Sequence, residues 1–235
     1  PERGDRMSDS THGGRRDGAG PFFGITKKWE VARLLNAHHY IGSQCADPSF
    51  TFVWRRAGGL FGDCGGPCAT ALFAPPASFA WGRDAIELIR LVRDTSQTPP
   101  LTAFMAECFR VLRSRKRYQF VVAYSDPAAG HHGGVYQAGN WLYIGRSSRK
   151  VVYIHKESGK RSSQRSFDQS SYANGDWTKS TTCRKYTYIY PLTKKARALW
   201  STKTLPYPKP STTQTKWHHS GCTVETGRQS EVNES

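Results

Sequence analysis

The order of apolar and polar positions predicts alternating helices and strands in the first half of the chain. Residues 27–42 carry apolar side chains at helical spacing and end at a glycine, which predicts a first helix. Two apolar runs, 50–54 and 69–73, are joined by a glycine-rich link and predict two strands with a turn between them. Residues 86–94 predict a further strand, and 101–115 predict an amphipathic helix.

The second half continues the alternation. Residues 118–126 predict a strand, and 133–148 predict a short helix followed by another strand. The stretch 150–184 is polar and basic and is interpreted as an insertion or an arm over the core, before a last alternating strand at 185–192. Strands interspersed with helices, with a hairpin among them, predict an α+β domain with a mixed, mostly antiparallel sheet flanked by helices.

One catalytic domain, residues 21–204, is expected between two segments of different composition. Residues 1–20 contain almost nothing apolar and predict a disordered N-terminal arm. Residues 205–235 are equally poor in core-forming side chains and predict a flexible C-terminal tail.

The charge balance favours a polyanionic partner. The chain of 235 residues has 34 Lys and Arg against 18 Asp and Glu, a formal net charge of +16. Such a field attracts nucleic acid and releases its counterions, although a basic surface that serves only solubility is the alternative. Charge alone does not decide whether the partner is RNA, DNA or an anionic membrane surface. The basic residues expected to follow phosphates, unless they form only a solvated face, include Arg146, Arg149, Lys150, Arg161 and Lys185.

No run approaches the roughly 20 apolar residues of a membrane helix, and the first residues lack the apolar core of a signal peptide. A soluble, cytoplasmic protein with no membrane partner is therefore expected. The six cysteines are predicted to be free thiols. Cys64 and Cys68 would supply half of a zinc site, but no second pair follows at a fitting spacing.

Five segments resemble one family. They are HHYIG at 38–42, ELIRLVRD at 87–94, AYSDPAAGHHGGVYQAGNW at 123–141, LYIGRS at 142–147 and KYTYIYPL at 185–192. Together they are similar to the Mom-type phage DNA-modification proteins of the GNAT acyltransferase-like superfamily. The resemblance implies a GNAT-like fold and a transferase that converts adenine in double-stranded DNA to its N6-carbamoylmethyl form. That change would protect phage DNA from restriction endonucleases in the cytoplasm of a bacterial host.

The resemblance marks His39, Tyr40, Arg90, Asp126 and Tyr136 as candidate catalytic residues. Asp126 would accept a proton from adenine N6; its structural alternative is to cap the turn at the following proline. For Tyr136 the options are proton donation, stacking on a base, or packing in the core.

Further candidates would contact substrate or a metal. His131 and His132 would orient substrate from a glycine-rich loop, and Trp141 and Tyr143 would stack on an extruded base, with core packing as the alternative. A metal site of His39, Tyr40 and Asp126 would hold iron, as proposed for the family. Arg90 would bind a carboxylate or phosphate; its alternative is an ion pair with Glu87 or with a surface carboxylate.

One segment departs from ordinary GNAT enzymes. Where those enzymes hold the pyrophosphate of coenzyme A in a glycine-rich loop, residues 94–102 read DTSQTPPLT, with two prolines and no glycine. The segment is unsuited to standard acetyl-CoA binding, so the cofactor and the group donor are left undetermined. The oligomeric state is open, a homodimer included.

Two other functions compete with DNA modification. One is a GNAT-like N-acyltransferase that acts on a small amine or on a protein, and the other is a non-enzymatic DNA-binding protein.

Overall fold

A computed structural model of the protein describes residues 22–39, 42–43, 45–56, 65–94, 100–159, 161–163 and 175–209. The predicted N-terminal arm at 1–20 lies outside the described residues, as does the predicted tail beyond residue 209. Candidate residue Tyr40 and the cysteine Cys64 also lie outside them.

Ten strands and four α-helices make up the described structure. The strands are β1 (Phe22–Thr26), β2 (Phe50–Arg55), β3 (Pro67–Ala74), β4 (Ala85–Arg93), β5 (Phe120–Ser125), β6 (Leu142–Arg146), β7 (Val151–His155), β8 (Arg161–Ser163), β9 (Trp177–Thr181) and β10 (Tyr186–Pro191). The helices are α1 (Ala32–His38), α2 (Leu101–Ser114), α3 (Gly134–Ala138) and α4 (Lys194–Ser201).

The strands form a seven-stranded sheet in the order β1-β2-β3-β4-β5-β10-β6 and a three-stranded sheet in the order β8-β7-β9. β4 and β5 pair in parallel, whereas β1–β2, β2–β3, β3–β4 and β6–β10 pair antiparallel. The predicted α+β class, a mixed and mostly antiparallel sheet with flanking helices, is confirmed.

The chain divides into two compact units. The first runs to Ala123 and includes Tyr190–Leu199; the second comprises Tyr124–Ile189 and the residues from Trp200 onward. The candidate residues His39 and Arg90 belong to the first unit, and Asp126, Tyr136 and the basic residues belong to the second.

The core of the first unit forms because α2 buries one face on the sheet. Phe104, Met105, Cys108 and Leu112 lie along this face of the helix and are all buried. The Phe104 ring lies 5.0 Å from the ring of Trp54. Helix α2 and its apolar face are therefore as the periodicity predicted.

The predicted helix at 27–42 is shorter in the structure. A 3-10 turn, Lys28–Val31, precedes α1, and the Glu30 carboxylate accepts a hydrogen bond from the Lys27 amide at 3.3 Å. The helix ends at His38 because His39 is extended, with ψ of 129°. Local hydrogen bonding at the helix start and an extended residue at its end thus replace the longer regular helix.

The stretch 150–184, predicted as a polar arm, contains the three-stranded sheet. Pairing of Tyr153 with both Ser162 and Lys179 joins three short strands, of which β8 and β9 have few apolar residues. β1 and α4 were also not predicted. The α4 sequence is short and polar on average, and the helix buries only Ala196 among its eight residues.

The cysteines in the described part of the chain are free thiols, as predicted. They are Cys45, Cys68, Cys108 and Cys183. Burial raises the pKa of Cys108 well above its ordinary value, so this thiol stays protonated and packs as an apolar side chain.

Within the described ranges, no helix is both long and apolar enough to cross a membrane.

Replacing Phe104 by alanine tests the importance of the α2 face. Phe104 is fully buried, so Phe104→Ala should lower the free energy of unfolding by about 3–5 kcal/mol. Phe79 is 95% exposed in the same unit and provides the control, because Phe79→Ala should change stability by no more than about 0.5 kcal/mol. Urea titration measures both; equal losses would contradict this account of the core.

Candidate functional site

Asp126 lies immediately after β5 and begins a 3-10 turn, Pro127–Ala129. Its carboxylate Oδ1 accepts a hydrogen bond from the Ala128 amide at 3.0 Å. Its carbonyl accepts hydrogen bonds from the amides of Ala129 at 3.0 Å and His131 at 3.1 Å. Asp126 therefore caps the turn at the end of a central strand, the structural role that an Asp-Pro pair predicts.

The second oxygen of the Asp126 carboxylate faces a cation. Lys185 Nζ lies 3.4 Å from Asp126 Oδ2, and the side chains of Lys185 and Asp126 are 37% and 19% exposed. Both carboxylate oxygens thus have partners in this structure. Partial burial protects the ion pair from full screening by salt, while Lys185 stays accessible to solvent.

The GHHGG loop that follows is held by hydrogen bonds to its carbonyls. Ser125 Oγ donates to the His131 carbonyl at 2.7 Å, and Tyr188 Oη donates to the His132 carbonyl at 2.6 Å. Gln137 Nε2 donates to the same His132 carbonyl at 3.2 Å. These bonds fix the backbone of the two histidines relative to Asp126.

Tyr188 is a neutral donor in this arrangement. Its ring is fully buried, and burial raises the pKa of Tyr188 to about 12. The loop must approach this ring closely, because a Cβ placed on Gly133 would come within 2.5 Å of Tyr188 Cζ. Gly133 also has a φ of +86°, so the position favours glycine for two independent reasons.

The two histidines of the loop differ in exposure, since His131 is exposed and His132 is half-buried. Partial desolvation lowers the pKa of His131 below its ordinary value, the Asp126 carboxylate opposes that shift, and His132 adds a lowering effect. A neutral imidazole is therefore favoured at neutral pH. Such a group can both donate and accept a hydrogen bond beside Asp126.

Tyr136, Trp141, Tyr143 and Tyr188 form an aromatic cluster. The Tyr136 ring lies 4.9 Å from that of Trp141 and 5.1 Å from that of Tyr188, and the Tyr143 ring lies 5.4 Å from that of Tyr188. All four side chains are buried. The Trp141 ring is fully buried and packs in the core, which is the alternative that the sequence left open beside stacking on a base.

Tyr143 borders the basic part of the unit. Burial raises the pKa of Tyr143, and the guanidinium groups of Arg146 and Arg184 oppose this shift. Arg146 lies 5.0 Å above the Tyr186 ring and donates to the Tyr186 hydroxyl at 3.2 Å. Arg146 and Arg184 thus lie at the edge of the aromatic cluster.

The basic residues near this edge form what we call the basic junction, defined as Arg146, Arg149, Lys150, Arg184 and Lys185. Arg184 Nε donates to the Ser147 carbonyl at 2.9 Å, and the Ser147 amide donates to the Lys185 carbonyl at 2.8 Å. These bonds join the end of β6 to the start of β10. Arg161 lies in β8, and the position of its side chain is outside the described structure.

The first residues of the predicted tail contact this unit. The Leu205 amide donates to the Tyr143 carbonyl at 2.8 Å, and Tyr207 Oη donates to the Trp141 carbonyl at 2.6 Å. Gln137 Nε2 also donates to the Pro208 carbonyl at 3.2 Å. Residues 205–209 are thus bound to α3 and β6.

Arg90 and the segment after His39 meet in the first unit. Arg90 Nε donates to the Gly42 carbonyl at 3.3 Å, and the Gly42 amide donates to the His39 carbonyl at 2.8 Å. Arg90 Nη1 also donates to the carbonyl of Ile89 at 2.7 Å. Arg90 thus joins β4 to the segment after α1 through bonds to backbone oxygens, and its predicted roles stay predictions.

The surroundings of Asp126 do not fit a metal ligand in this structure, because its two oxygens face an amide and an ammonium group. Over the described ranges, no three or more His, Cys, Asp or Glu side chains are grouped to hold a metal ion. Iron at this site stays a prediction.

The segment predicted to be unsuited to standard acetyl-CoA binding is described only at its ends. Asp94 pairs with Arg56 at the end of β4, and residues 95–99 lie outside the described structure. Pro100 caps α2 and supplies no amide hydrogen there. The identity of the donor stays undetermined.

Sequence reasoning did not single out the residues that shape the loop. Tyr188, Gln137 and Ser125 hold the His131 and His132 carbonyls, but each is a common residue in a strand or short helix. A usable signal was the alternation of tyrosines in KYTYIYPL, which places Tyr186 and Tyr188 on one face of β10.

Replacing Gly133 by alanine tests the close approach of the loop to Tyr188. The new methyl group would collide with the ring and strain the backbone, so Gly133→Ala should cost about 2–4 kcal/mol of unfolding free energy. Gly175 has a φ of +79° and open space around the position of an added Cβ, so Gly175→Ala should cost only the backbone strain, about 1–2 kcal/mol. Urea titration compares the two; equal costs would show that the loop does not depend on this contact.

The chain shows distant similarity to solved acetyltransferases, whereas no curated protein sequence matches it. A GNAT family N-acetyltransferase from Escherichia coli in complex with CoA is 11% identical, with 76% of this chain and 85% of that chain covered and a TM-score of 0.44. The ribosomal-protein-S18-alanine N-acetyltransferase from Escherichia coli is 10% identical, with coverage of 73% and 95% and a TM-score of 0.43. An N-acetyltransferase from Staphylococcus aureus Mu50 is 12% identical, with coverage of 74% and 100% and a TM-score of 0.43.

The model of the Mom protein family matches residues 24–209, which is most of the chain and includes every candidate catalytic residue. The five segments that carry the resemblance all fall inside this range. This chain belongs to the Mom protein family.

Proposed function

We propose that this protein is a transferase that modifies adenine in DNA. The observation that carries the proposal is membership of the Mom family over residues 24–209, which supports phage DNA modification by an acyltransferase-like enzyme. The finer proposal is that the product is N6-carbamoylmethyladenine and that the modification protects the DNA from restriction endonucleases.

Asp126 is the group best placed to accept a proton. In the proposed step the N6 lone pair of adenine forms a bond to the reactive carbon of an activated carbamoylmethyl donor. The leaving group of the donor departs with its bonding electron pair, and the proton from N6 passes to the Asp126 carboxylate. The turn cap at Ala128 holds the carboxylate in place, and a rigid position of this kind favours proton transfer.

Lys185 would couple this step to DNA binding. A carboxylate with partners on both oxygens has to release one before it accepts a proton, and Lys185 is the partner accessible to solvent. A DNA phosphate is the natural competitor for its ammonium group. In this proposal Lys185 moves from Asp126 to a phosphate, so Oδ2 becomes available only when DNA is bound.

The rest of the basic junction would position the duplex. Arg149 and Lys150 are exposed between β6 and β7, and Arg184 is exposed before β10. Adenine N6 is paired inside a duplex, so the base has to be extruded at a cost of roughly a few kcal/mol. His131, neutral and exposed beside Asp126, is the side chain of the loop best suited to hydrogen-bond the extruded base.

Asp126→Asn tests the proton acceptor. Asparagine keeps an oxygen that can cap the turn but cannot take up the N6 proton, and a positioned general base contributes roughly 10²–10⁴-fold to a rate. Mass spectrometry of nucleosides from DNA of cells expressing the full chain should therefore show a heavier adenosine, reduced at least about 100-fold in Asp126→Asn.

Glu157→Gln is the matched control, because Glu157 is exposed in the turn after β7 and the change removes the same charge. It should leave the amount of modified adenosine unchanged. Equal modification by the wild type and Asp126→Asn would contradict the role of Asp126. Unmodified DNA with abundant soluble wild-type protein would instead favour the non-enzymatic DNA-binding protein.

Lys185→Gln tests the phosphate contact. Removal of one lysine–phosphate contact should reduce the slope of log K against log salt by about 0.9. We expect this reduction for Lys185→Gln in a fluorescence anisotropy titration with duplex DNA. Lys194→Gln, an exposed lysine at the start of α4, should leave the slope unchanged. An unchanged slope for Lys185→Gln would show that its ammonium group does not reach a phosphate.

A further inference from the structure

A cleft of about 360 Å³ lies in the first unit, at the amino ends of the parallel strands β4 and β5. Its walls include Pro75, Pro76, Phe79, Arg83, Arg117 and Tyr118. The volume lies within the range of small-molecule sites, roughly 300–1,000 Å³. The candidate catalytic residues do not line it.

Phe79 presents its ring to solvent at the rim of this cleft. It is 95% exposed, the most exposed of the large apolar side chains in the described structure. Its 3-10 turn, Phe79–Trp81, is held because the Trp81 ring packs edge-on against Phe120 at 6.3 Å. Gly82 ends the 3-10 turn with a φ of +72°, and β4 begins three residues later. An anchored turn thus displays an aromatic ring that contributes nothing to the described core.

Two arginines line the same cleft as Phe79. Neither Arg83 nor Arg117 forms an ion pair with a carboxylate in the described part of the chain, and both are exposed. The Arg117 guanidinium lies 5.4 Å from the centre of the Tyr118 ring. No Asp or Glu of the described residues lines the cleft. The site therefore combines apolar and aromatic walls with two positive charges that have no acidic partner among these residues.

We propose that this cleft binds one nucleotide of a DNA strand, with its base stacked on Phe79 and its phosphates held by Arg83 and Arg117. Aromatic platforms next to cationic side chains bind unpaired nucleotides in this way, because every base has a π-face and every linkage has a negative charge. A site for phosphate alone would require the two arginines but would not require apolar walls. The apolar walls therefore favour a ligand that also has a base. The contact is independent of the modification reaction, since a protein that only binds DNA would use it equally.

The test measures how much of the binding energy comes from bases. Fluorescence anisotropy of the full chain is recorded with a labelled single strand of about ten nucleotides and with an abasic strand of equal length and charge. The wild type should prefer the strand that has bases. Phe79→Ala should reduce that preference about ten-fold, within the range for loss of one stacked base, while Phe79→Trp should retain it.

Trp29→Ala is the control for removal of an exposed aromatic ring, because Trp29 is 72% exposed in the same unit but does not line the cleft. It should leave the preference unchanged. Arg83→Gln and Arg117→Gln should weaken binding of both strands and lower the salt dependence. An undiminished preference in Phe79→Ala would overturn the proposal.

Two further measurements separate other occupants. If deoxyadenosine monophosphate displaces the labelled strand as effectively as an unlabelled strand does, the cleft takes free nucleotides and the DNA-strand assignment is wrong. The second is sedimentation of Phe79→Ala. If the variant changes oligomeric state but keeps the preference for the strand with bases, the Phe79 ring contacts another protein molecule, which also overturns the proposal. Neither result affects the Asp126→Asn experiment, which reads modified nucleosides.

Discussion

The hydrogen bond from Tyr188 to the His132 carbonyl is the interaction on which the candidate site depends. It brings a buried strand and the loop after β5 together at 2.6 Å. Without a side chain on Gly133, the loop can lie directly on the tyrosine ring. This contact sets the positions of His131 and His132 relative to Asp126 together with the bonds from the Ser125 hydroxyl and to the Asp126 carbonyl, because the loop has no regular secondary structure beyond a short turn. The Tyr188 hydroxyl has to stay neutral for this bond, since a phenolate has no proton to donate to the His132 carbonyl.

Electrostatics add a second constraint. The Asp126 carboxylate has a lysine beside it, and the basic junction supplies four further cations in the same unit. The ion pair holds the carboxylate in place, but the lysine also covers the oxygen that would take up a proton. In the proposed function, a polyanionic substrate would relieve this conflict because it would offer the lysine another negative charge. The positive charges that would attract DNA would therefore also make the carboxylate available as a base.

The sequence predicted those features that depend on local periodicity. Strands β2 to β6, β10 and helix α2 have strong apolar patterns, and the structure contains them. β8 and β9 were missed because their pairing with β7, rather than their own composition, makes them strands. β7 has the apolar run VVYI at 151–154, but the polar character of the surrounding stretch outweighed that signal. The turn cap by Asp126 follows from its place before a proline, whereas its pairing with Lys185 joins residues far apart in the chain. Trp141 and Tyr143 show the same limit, since local sequence identifies aromatic residues but not which of them the fold buries.

The hydrogen bond between Tyr207 and the Trp141 carbonyl spans 66 residues of sequence. A ribosome that adds roughly 5–20 residues per second needs about 3–13 s to synthesise that interval. During that time α3 and β6 exist in the nascent chain without the segment that later binds them. The hydrogen bonds of residues 205–209 to α3 and β6 therefore form only after the residues that hold the loop, Tyr188 included, have left the ribosome.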